Sequence, residues 1–586
     1  MFSTIGDSVT ENDESLLEQT PLVETPSPEQ NPADPPMPKQ RKPVMIAVIA
    51  VLVLLVGTFA VGKLFFNRDF TQLLMGKTKY AQNIELATAK SSADQIVAGM
   101  DKSVKLLQTY TKPKTLDSTV QLNVKMEDQF LKGMGLPEEQ TSAVQQTIKY
   151  LNTLKMSAKT LINEKGTQST VTITDPSALK LTVSSLSYVD GKTYVHIPEL
   201  LEQYLLPGED SLSQLNPSSL ANMKYDSAKM KTSLDKLAEV YANALSTAQV
   251  KAENDQSITI DGVTVQGQKL TASLTEAQTA EMFKAIAKAA KEDEYLYSFV
   301  ADNYSLFSSL SGSDKSAAKE ALTKEKYGEM IDEIFPTNNL ETDTSAFSAV
   351  SYVEQSGALL AHSYEYKDGS DALQLIYLIT EQKYAVELLS NQESGFLFSN
   401  TKTGEETGKI QLNIKSESEP KNIGVNVDYS GAKLVPFLDS ETLVGKYVLS
   451  LNDPDHEIQK QMKNENLPQE FDQIDQSSIT IESAVDGSQV NSTILYSIPK
   501  LLSASITEKI SGTVGDTTLP AQPQANQVID LSQDVSGEAT NELGIQTIQF
   551  LSETMKKDSE LTAVLAGFGI TKEQVEMMAA YYAQAN

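Results

Sequence analysis

Several stretches of the chain alternate apolar with polar residues, which is the pattern of a β-strand with one buried and one solvated face. The clearest stretch is 116–126, which ends in the apolar residues Leu122, Val124 and Met126 with Asn123 and Lys125 between them. The stretches 409–415 and 422–429 each present one apolar row in the same way. We predict further strands throughout residues 345–499.

Other segments repeat apolar residues every three or four positions, as amphipathic helices do. One such stripe belongs to a helix that ends at Pro113, and it consists of Ile96, Met100, Val104 and Leu107. The same spacing predicts helices over residues 226–247, 275–300 and 538–585.

The outline GMGLPEEQ at 133–140 recurs as GFGITKEQ at 567–574. In the second copy, Thr571 and Gln574 have the spacing of a capping box, in which each side chain bonds the other residue's backbone amide. Thr275 and Gln278 repeat that spacing. We interpret this similarity as the same kind of helix start used more than once. The alternative is a duplicated segment whose two copies have diverged.

Residues 181–200 read as a β-hairpin. Asp190-Gly191 has the composition of a two-residue turn, which tolerates positive φ. Such a turn predicts the pairs Val189–Lys192, Leu186–Val195 and Ser185–His196. We expect Pro198 to end the second strand and a short helix to follow over Glu199 to Leu205.

An uncharged apolar run extends from Pro43 to Gly62. As a helix it is about 30 Å long, which matches the hydrocarbon thickness of a bilayer. A cleaved signal peptide would have a shorter apolar region and a small-residue cleavage site. We therefore predict one uncleaved membrane-spanning helix over residues 44–66, preceded by a disordered, acidic, Pro-rich tail over residues 1–43.

Basic residues flank the run on both sides, so the positive-inside rule does not fix its orientation. Large domains cross the membrane largely regardless of flanking charge. A body without cysteine and rich in Ser, Thr and strands also fits the outer side. We therefore expect a cytoplasmic N-terminus and an extracytoplasmic body in the cell membrane.

The predicted fold class is α+β: a large curved antiparallel sheet, or two such sheets, with helices packed on one side and one transmembrane helix before it. After that helix we expect a juxtamembrane helix (67–112), an α+β region (113–340), an antiparallel β region (341–510), a linker (511–535) and C-terminal helices (536–586).

Composition excludes several functions. The 586-residue chain has no cysteine, which removes disulfides, thiol nucleophiles and cysteine-based metal sites. Its formal net charge of -30 argues against binding to nucleic acid, which needs clustered basic residues.

Residues 401–410, TKTGEETGKI, nearly match two catalytic motifs. A phosphate-binding loop needs four residues between its glycines and a Ser or Thr after the Lys, and this stretch has neither. The K-T-G of penicillin-binding enzymes follows their other motifs along the chain, whereas Ser450-Leu451-Asn452 comes after this stretch. We interpret it as a polar turn between two strands.

The three histidines, His196, His362 and His456, have no ligand spacing among them. A cation at Asp453, Asp455 and Glu457 would lack the glycine and the bidentate glutamate of an EF-hand. A triad assembled in space stays open, although no G-x-S-x-G supports it. The sequence therefore identifies no catalytic, cofactor-binding or metal-binding residue and no cofactor.

Three motifs carry a resemblance to membrane-anchored envelope proteins of Gram-positive bacteria that contain a domain of unknown function. They are LLMGKTKYAQNIE at 73–85, D-G-K-x-Y-V-x-I-P-E-L at 190–200 and V-T-V-Q-G-Q-K-L-T-A-S-L-T-E-A-Q at 263–278. In architecture alone, the layout also resembles the half-barrel lipid carriers of bacterial envelopes.

These observations predict a non-enzymatic, membrane-anchored binding or scaffolding protein of the envelope. Its expected partners are the membrane through residues 44–66, a lipid or other apolar ligand, and an envelope protein. The alternative is an envelope hydrolase whose site forms only in the fold.

Overall fold

The computed structural model describes residues 68–585, apart from positions 111, 134, 189–191, 208–222, 305–321, 336–344, 370, 392–393, 417–421, 454–455, 459, 461–472 and 533–537. The predicted tail at 1–43 and membrane helix at 44–66 lie outside these ranges. Among the residues described, no helix is both long enough and apolar enough to cross a bilayer.

Twenty strands form one sheet. Their bounds are β1 Lys114–Met126, β2 Lys155–Asn163, β3 Gly166–Thr174, β4 Lys180–Tyr188, β5 Thr193–His196, β6 Tyr204–Leu206, β7 Gln249–Ile260, β8 Val263–Thr275, β9 Ser345–Val353, β10 Leu359–Asp368, β11 Asp371–Ile379, β12 Lys383–Ser390, β13 Ser394–Lys402, β14 Gly408–Lys415, β15 Asn422–Phe437, β16 Ser440–Asn452, β17 Ser478–Asp486, β18 Gln489–Ile498, β19 Leu502–Val514 and β20 Val528–Asp530.

Strand pairing orders the sheet from β7 through β19, then from β1 through β6, and finally β20. The early strand β1 lies beside the late strand β19, in a ladder from Lys114–Val514 to Met126–Leu502. All described pairs are antiparallel except β6 with β20, which is parallel. The strands of the two predicted regions, 113–340 and 341–510, therefore belong to one sheet.

Eleven helices are described: α1 Arg68–Met75, α2 Lys77–Tyr110, α3 Asp128–Gly133, α4 Glu138–Leu151, α5 Ser227–Ala244, α6 Glu276–Glu292, α7 Glu294–Asp302, α8 Lys324–Ile334, α9 Glu538–Lys557, α10 Ser559–Gly567 and α11 Lys572–Ala585. Together with the curved antiparallel sheet, they confirm the predicted α+β class.

The main hydrophobic core lies between helices and one face of the sheet, which we call the core face. Tyr241 of α5, Phe283 of α6 and Tyr327 of α8 are buried there. They share the core with Tyr364 of β10 and Tyr377 of β11. Burial of such aromatic side chains dominates core energetics, so this cluster holds the helices on strands β8 to β12.

The long helix predicted over 67–112 is present, but it is broken into α1 and α2 at Gly76. Gly76 has φ of +79°, a left-handed conformation that glycine adopts without steric cost. The buried stripe on α2 includes Ala93, Val97 and Val104. Val104 belongs to the predicted stripe, whereas Val97 lies one position after the predicted Ile96. Both predicted capping boxes are confirmed, at Thr275–Gln278 and Thr571–Gln574.

The predicted register of the hairpin at 181–200 is wrong by one residue. Leu186 pairs with Tyr194, and Ser185 pairs with Val195. The Tyr188 amide donates to the Lys192 carbonyl, so the connection is one residue longer than a two-residue turn. A shift of one residue changes which side chains share a face, and here it buries Leu186 with Tyr194.

Two further predictions around this hairpin need correction. The helix expected over Glu199 to Leu205 is instead a turn followed by strand β6. The linker expected over 511–535 contains the end of β19 and strand β20, which pairs with β6 through Ile529 and Leu205. Strand β20 lies more than three hundred residues from β6 along the chain, so no local sequence pattern indicates this pairing.

The C-terminal helices attach to the body through a pair of carboxyl groups. The Tyr150 hydroxyl lies 3.0 Å from Asp175 Oδ2 and 3.2 Å from Asp558 Oδ2. Asp558 also accepts the backbone amides of Glu560 and Leu561 and so caps α10. Burial and the neighbouring Asp175 carboxyl raise the pKa of Asp558.

We expect Asp558→Asn and Asp558→Ala to affect stability in opposite ways. Because the folded state raises the Asp558 pKa, protonation favours folding, and this contribution is lost as pH rises through the folded pKa. The Asp558→Asn side chain would keep the cap and mimic the protonated acid, so the stability of this variant at pH 7 should equal or exceed that of the natural chain. The Asp558→Ala variant should lose about 1 kcal/mol with the cap.

Urea unfolding of the three proteins at pH 4 and pH 7 measures both effects. A natural chain that is more stable than the Asp558→Asn variant at pH 7 would contradict the shared-proton interpretation.

Candidate functional site

The core face continues in register beyond the helix-covered strands. Directly paired residues of neighbouring antiparallel strands place their side chains on the same face. One such row begins at Tyr429 and Tyr447 and runs through Ile481, Ile494, Ile506 and Leu122. A second row joins Phe398, Leu412, Val425 and Leu451. The three alternating stretches predicted from sequence therefore share one face.

Beyond β12 many residues of this apolar face are exposed, although Val490 and Ile498 of β18 are buried. Ile414 is 59% accessible, Leu412 45%, Ile494 43% and Ile506 42%, whereas Tyr364 and Tyr377 under the helices are at most 1% accessible. We call the core-face residues of strands β13 to β19 and β1 the open region. Large contiguous apolar patches are rare on monomeric proteins and mark interaction surfaces or ligand grooves.

The opposite face of the same strands is mostly polar, although Leu397 of β13 and Val444 of β16 are buried there. Gln411, Asn413 and Asn426 alternate with the apolar row on β14 and β15, and Gln411 donates to Asn426 at 3.0 Å. Asn452 of β16 donates from its side-chain amide to Asn413 Oδ1 at 2.6 Å. This amide network satisfies the polar face within the sheet, so the unsatisfied surface of these strands is the apolar one.

A buried polar cluster lies where α2 crosses the covered part of the core face. Glu85 Oε1 is 2.6 Å from His362 Nε2, and the Ser351 hydroxyl donates to the same oxygen at 2.9 Å. The Tyr241 hydroxyl donates to Glu85 Oε2 at 2.8 Å. All four residues are at most 3% exposed.

The cluster stabilises the ionised form of Glu85. Burial by itself raises the pKa of the carboxyl. The attraction of His362 and the hydrogen bonds from His362, Tyr241 and Ser351 outweigh burial, so the pKa of Glu85 lies below its ordinary value. Charge-assisted hydrogen bonds of this kind are stronger than neutral ones.

The geometry of this cluster differs from that of a hydrolytic triad. In a triad the serine hydroxyl donates to the imidazole, which the acid orients from the other side. Here Ser351 donates to the carboxylate, and no described residue bonds His362 Nδ1. The groups are also covered by α2 and α5, so a substrate has no access. The cluster is a structural ion pair beneath the helices.

The structure keeps the other residues singled out from sequence apart. His196 stacks on Tyr204, with ring centroids 4.7 Å apart. His456 is exposed and lies 3.4 Å from Asp475. Asp453 accepts the backbone amides of Glu457 and Ile458, which uses its carboxylate as a helix cap. Asp455 lies outside the described residues, and among those described no group of carboxylates and histidines could hold a metal ion.

The stretch 401–410 is a turn between β13 and β14, as predicted. Lys402 pairs with Gly408, and the Thr403 amide donates to the Thr407 carbonyl at 3.0 Å. These contacts close a short polar loop with no helix after it, whereas a phosphate-binding loop opens a helix.

Two cavities differ in position from the exposed apolar rows, and the second of them borders β1 and β19. One, of about 540 Å³, lies between α5 and α6 and includes Val240, Ala244 and Met282. The other, of about 450 Å³, lies beside Asn152, Met156 and Lys509. Neither contains a histidine or a cluster of convergent catalytic groups, so the open region is the stronger candidate for a ligand surface.

No protein-family model and no curated protein matches the chain. The candidate site therefore depends on the geometry alone.

Sequence reasoning missed Glu85 because its partner His362 is 277 residues away. A local signal did exist. Ala81, Ala89 and Ala93 recur at steps of four or eight along α2 and are buried, and Glu85 falls in the same stripe. A carboxylate among small buried residues implies a partner on the facing element.

We expect Glu85→Ala to cost about 3–5 kcal/mol, the usual cost of breaking a buried ion pair. Glu239→Ala is the matched control, because Glu239 forms an exposed pair with Lys90 of α2 and should cost no more than about 1 kcal/mol. Since folding lowers the Glu85 pKa, its contribution is present above the unfolded value of about 4.3 and lost as pH falls through the folded value.

Urea unfolding at pH 7 and at decreasing pH tests this expectation. Equal losses in the two variants, or a loss independent of pH, would contradict the ion-pair interpretation.

Proposed function

We propose that the chain is a single-pass membrane-anchored protein whose extracytoplasmic body binds an apolar ligand on the open region, without catalysis, in a bacterial cell envelope. The observation that carries the proposal is the exposed apolar face of β13 to β19 and β1. Ligand surfaces are mostly apolar with a few polar anchors. In the scaffolding form of the same proposal, this face binds an envelope protein partner in place of a small apolar ligand.

The dimensions of the open region support a lipid-sized ligand. The eight strands from β13 to β1 are separated by seven steps of about 4.8 Å, which gives a width of about 34 Å. One leaflet of a bilayer contributes about 15 Å of hydrocarbon. The region therefore offers room for an extended acyl chain in either direction across it.

The proposed membrane anchor is inferred from the amino-acid sequence. The uncharged run from Pro43 to Gly62 ends five residues before α1 begins. A membrane-spanning helix over residues 44–66 would leave one residue before α1, so it would keep the body beside the bilayer and close to a supply of lipid.

A hydrolase remains without support from the described residues. His362 and Ser351 are buried and share one carboxylate in a structural arrangement. His196 stacks on Tyr204, and His456 is exposed beside Asp475. The binding proposal requires no such chemistry.

The topology can be tested with protease on intact, wall-stripped cells. We expect the body to be digested and residues 1–43 to be protected, because the proposed orientation places the tail in the cytoplasm. Digestion of the tail with protection of the body would contradict the orientation.

Ligand binding can be tested with a lipid that carries a photoreactive diazirine in its acyl chain, using the full chain in lipid nanodiscs. We expect crosslinks to peptides of β13–β19 in addition to residues 44–66. Ile494→Glu changes a core-face residue and should reduce strand labelling at least about fivefold, since a charge in an apolar site is strongly disfavoured. The control, Thr493→Glu, places the same charge on the opposite face and should leave labelling unchanged.

Labelling confined to residues 44–66 would remove the support for a lipid ligand. Strand labelling that both variants reduce equally would show that the core face is not the binding surface.

A further inference from the structure

The open region contains one charged residue away from the strand ends. Glu508 lies in the middle of β19, between Ile506 and Ile510 on the same face. Lys114, Lys402 and Glu441, the other charged residues on this face of β13–β19 and β1, are all first, second or last in their strands. A carboxylate between apolar neighbours on one strand face is costly unless it has a partner or water.

The register defines the surroundings of Glu508. It pairs with Ser492 of β18 and Val120 of β1, and Ser492 pairs with Ser483 of β17. The two hydroxyls lie 3.4 Å apart. Glu508, Ser492 and Ser483 therefore form one polar line across three strands, bordered by the apolar row that contains Ile494 and Ile506.

No cation among the described residues pairs with Glu508. Its cross-strand neighbours are a hydroxyl and an apolar side chain, and Lys509 is on the opposite face. Glu508 is half-buried, so its charge is neither fully solvated nor neutralised by the protein. The position is complementary to a ligand that brings its own positive charge.

We propose that the open region selects amphiphiles with a positively charged head, in which an apolar chain covers the rows around Ile494 and Ile506 and an ammonium group pairs with Glu508. The two serine hydroxyls would accept further hydrogen bonds from the ammonium, which donates three. This inference rests on the proposed apolar binding function. It adds to that function the specification that the ligand carries a positive charge.

A different role for Glu508 makes a different prediction. An inward-pointing charge on an apolar strand can also prevent two sheets from associating. In that case its removal would promote self-association of the chain and would not change any preference among ligands.

The experiment compares two photoreactive probes with the same diazirine-bearing alkyl chain, one ending in a primary amine and the other in a carboxylic acid. The full chain is held in phosphatidylcholine nanodiscs, and labelling of β17–β19 peptides is normalised to labelling of residues 44–66. We expect the amine to label the strands about fivefold more than the acid, which is the upper end of the range for one exposed ion pair.

Glu508→Gln should abolish this preference, because it removes the charge while keeping the shape. Glu482→Gln is the matched control, since Glu482 lies on the opposite face of β17, and it should retain the preference. Unfolding and light scattering of both variants report whether the fold and the oligomeric state are kept.

Equal labelling of the strands by both probes in the natural chain would overturn the charge inference and leave apolar binding intact. A preference that persists in Glu508→Gln, or self-association of that variant without a change in preference, would also overturn it. Absence of strand labelling by either probe would remove the proposed function together with the inference.

Discussion

The removal of one sheet face from water is the constraint on which the body depends. Paired residues of antiparallel strands point to the same side, so Tyr377 under the helices and Ile494 in the open region belong to one continuous face. Helices α5, α6 and α8 bury the face as far as β12. Beyond β12 several of its large apolar side chains are exposed, although the hydrophobic effect favours covering them just as strongly. That imbalance makes the uncovered part of the face the candidate interaction surface.

The early and late strands of the chain are joined through its first and last long strands. Strand β1 pairs with β19 on one side and with β2 on the other, so the early strands continue the late ones. At the start of β1, Lys114 forms an ion pair with Asp439 in the β15–β16 turn at 3.1 Å and is almost fully buried. Because β1 and β19 are nearly four hundred residues apart, their pairing requires most of the chain to be in place. Such non-local pairing is slow to form, and it makes the open region a property of the complete body.

The sequence predicted the features that depend on neighbouring residues and missed those that depend on contacts between residues far apart in the chain. Alternation over 116–126, 409–415 and 422–429 correctly indicated strands with one apolar face, since side-chain direction has a period of two. It did not indicate that the three rows share a single face, which depends on the β19–β1 pairing. The hairpin register at Leu186 was wrong because a connection one residue longer has nearly the same composition. Strand β6 was mistaken for a helix since three residues carry too little periodicity. Glu85 was overlooked because its burial follows from contacts with His362 and Ser351 on distant strands.

The placement of two carboxylates, Glu85 on helix α2 above the core face and Glu508 on that face, separates a structural role from a binding role. Glu85 lies where helices exclude water, and the protein supplies His362, Ser351 and Tyr241 to satisfy it. Glu508 lies in the uncovered half, where the described residues supply a neighbouring hydroxyl row and no cation. A buried charge without a partner would strongly destabilise the fold, so the first arrangement is required for folding. The second is tolerated because the face is open to water. An apolar surface with one unneutralised charge at its centre is incomplete as a core, but it has the composition of a binding surface.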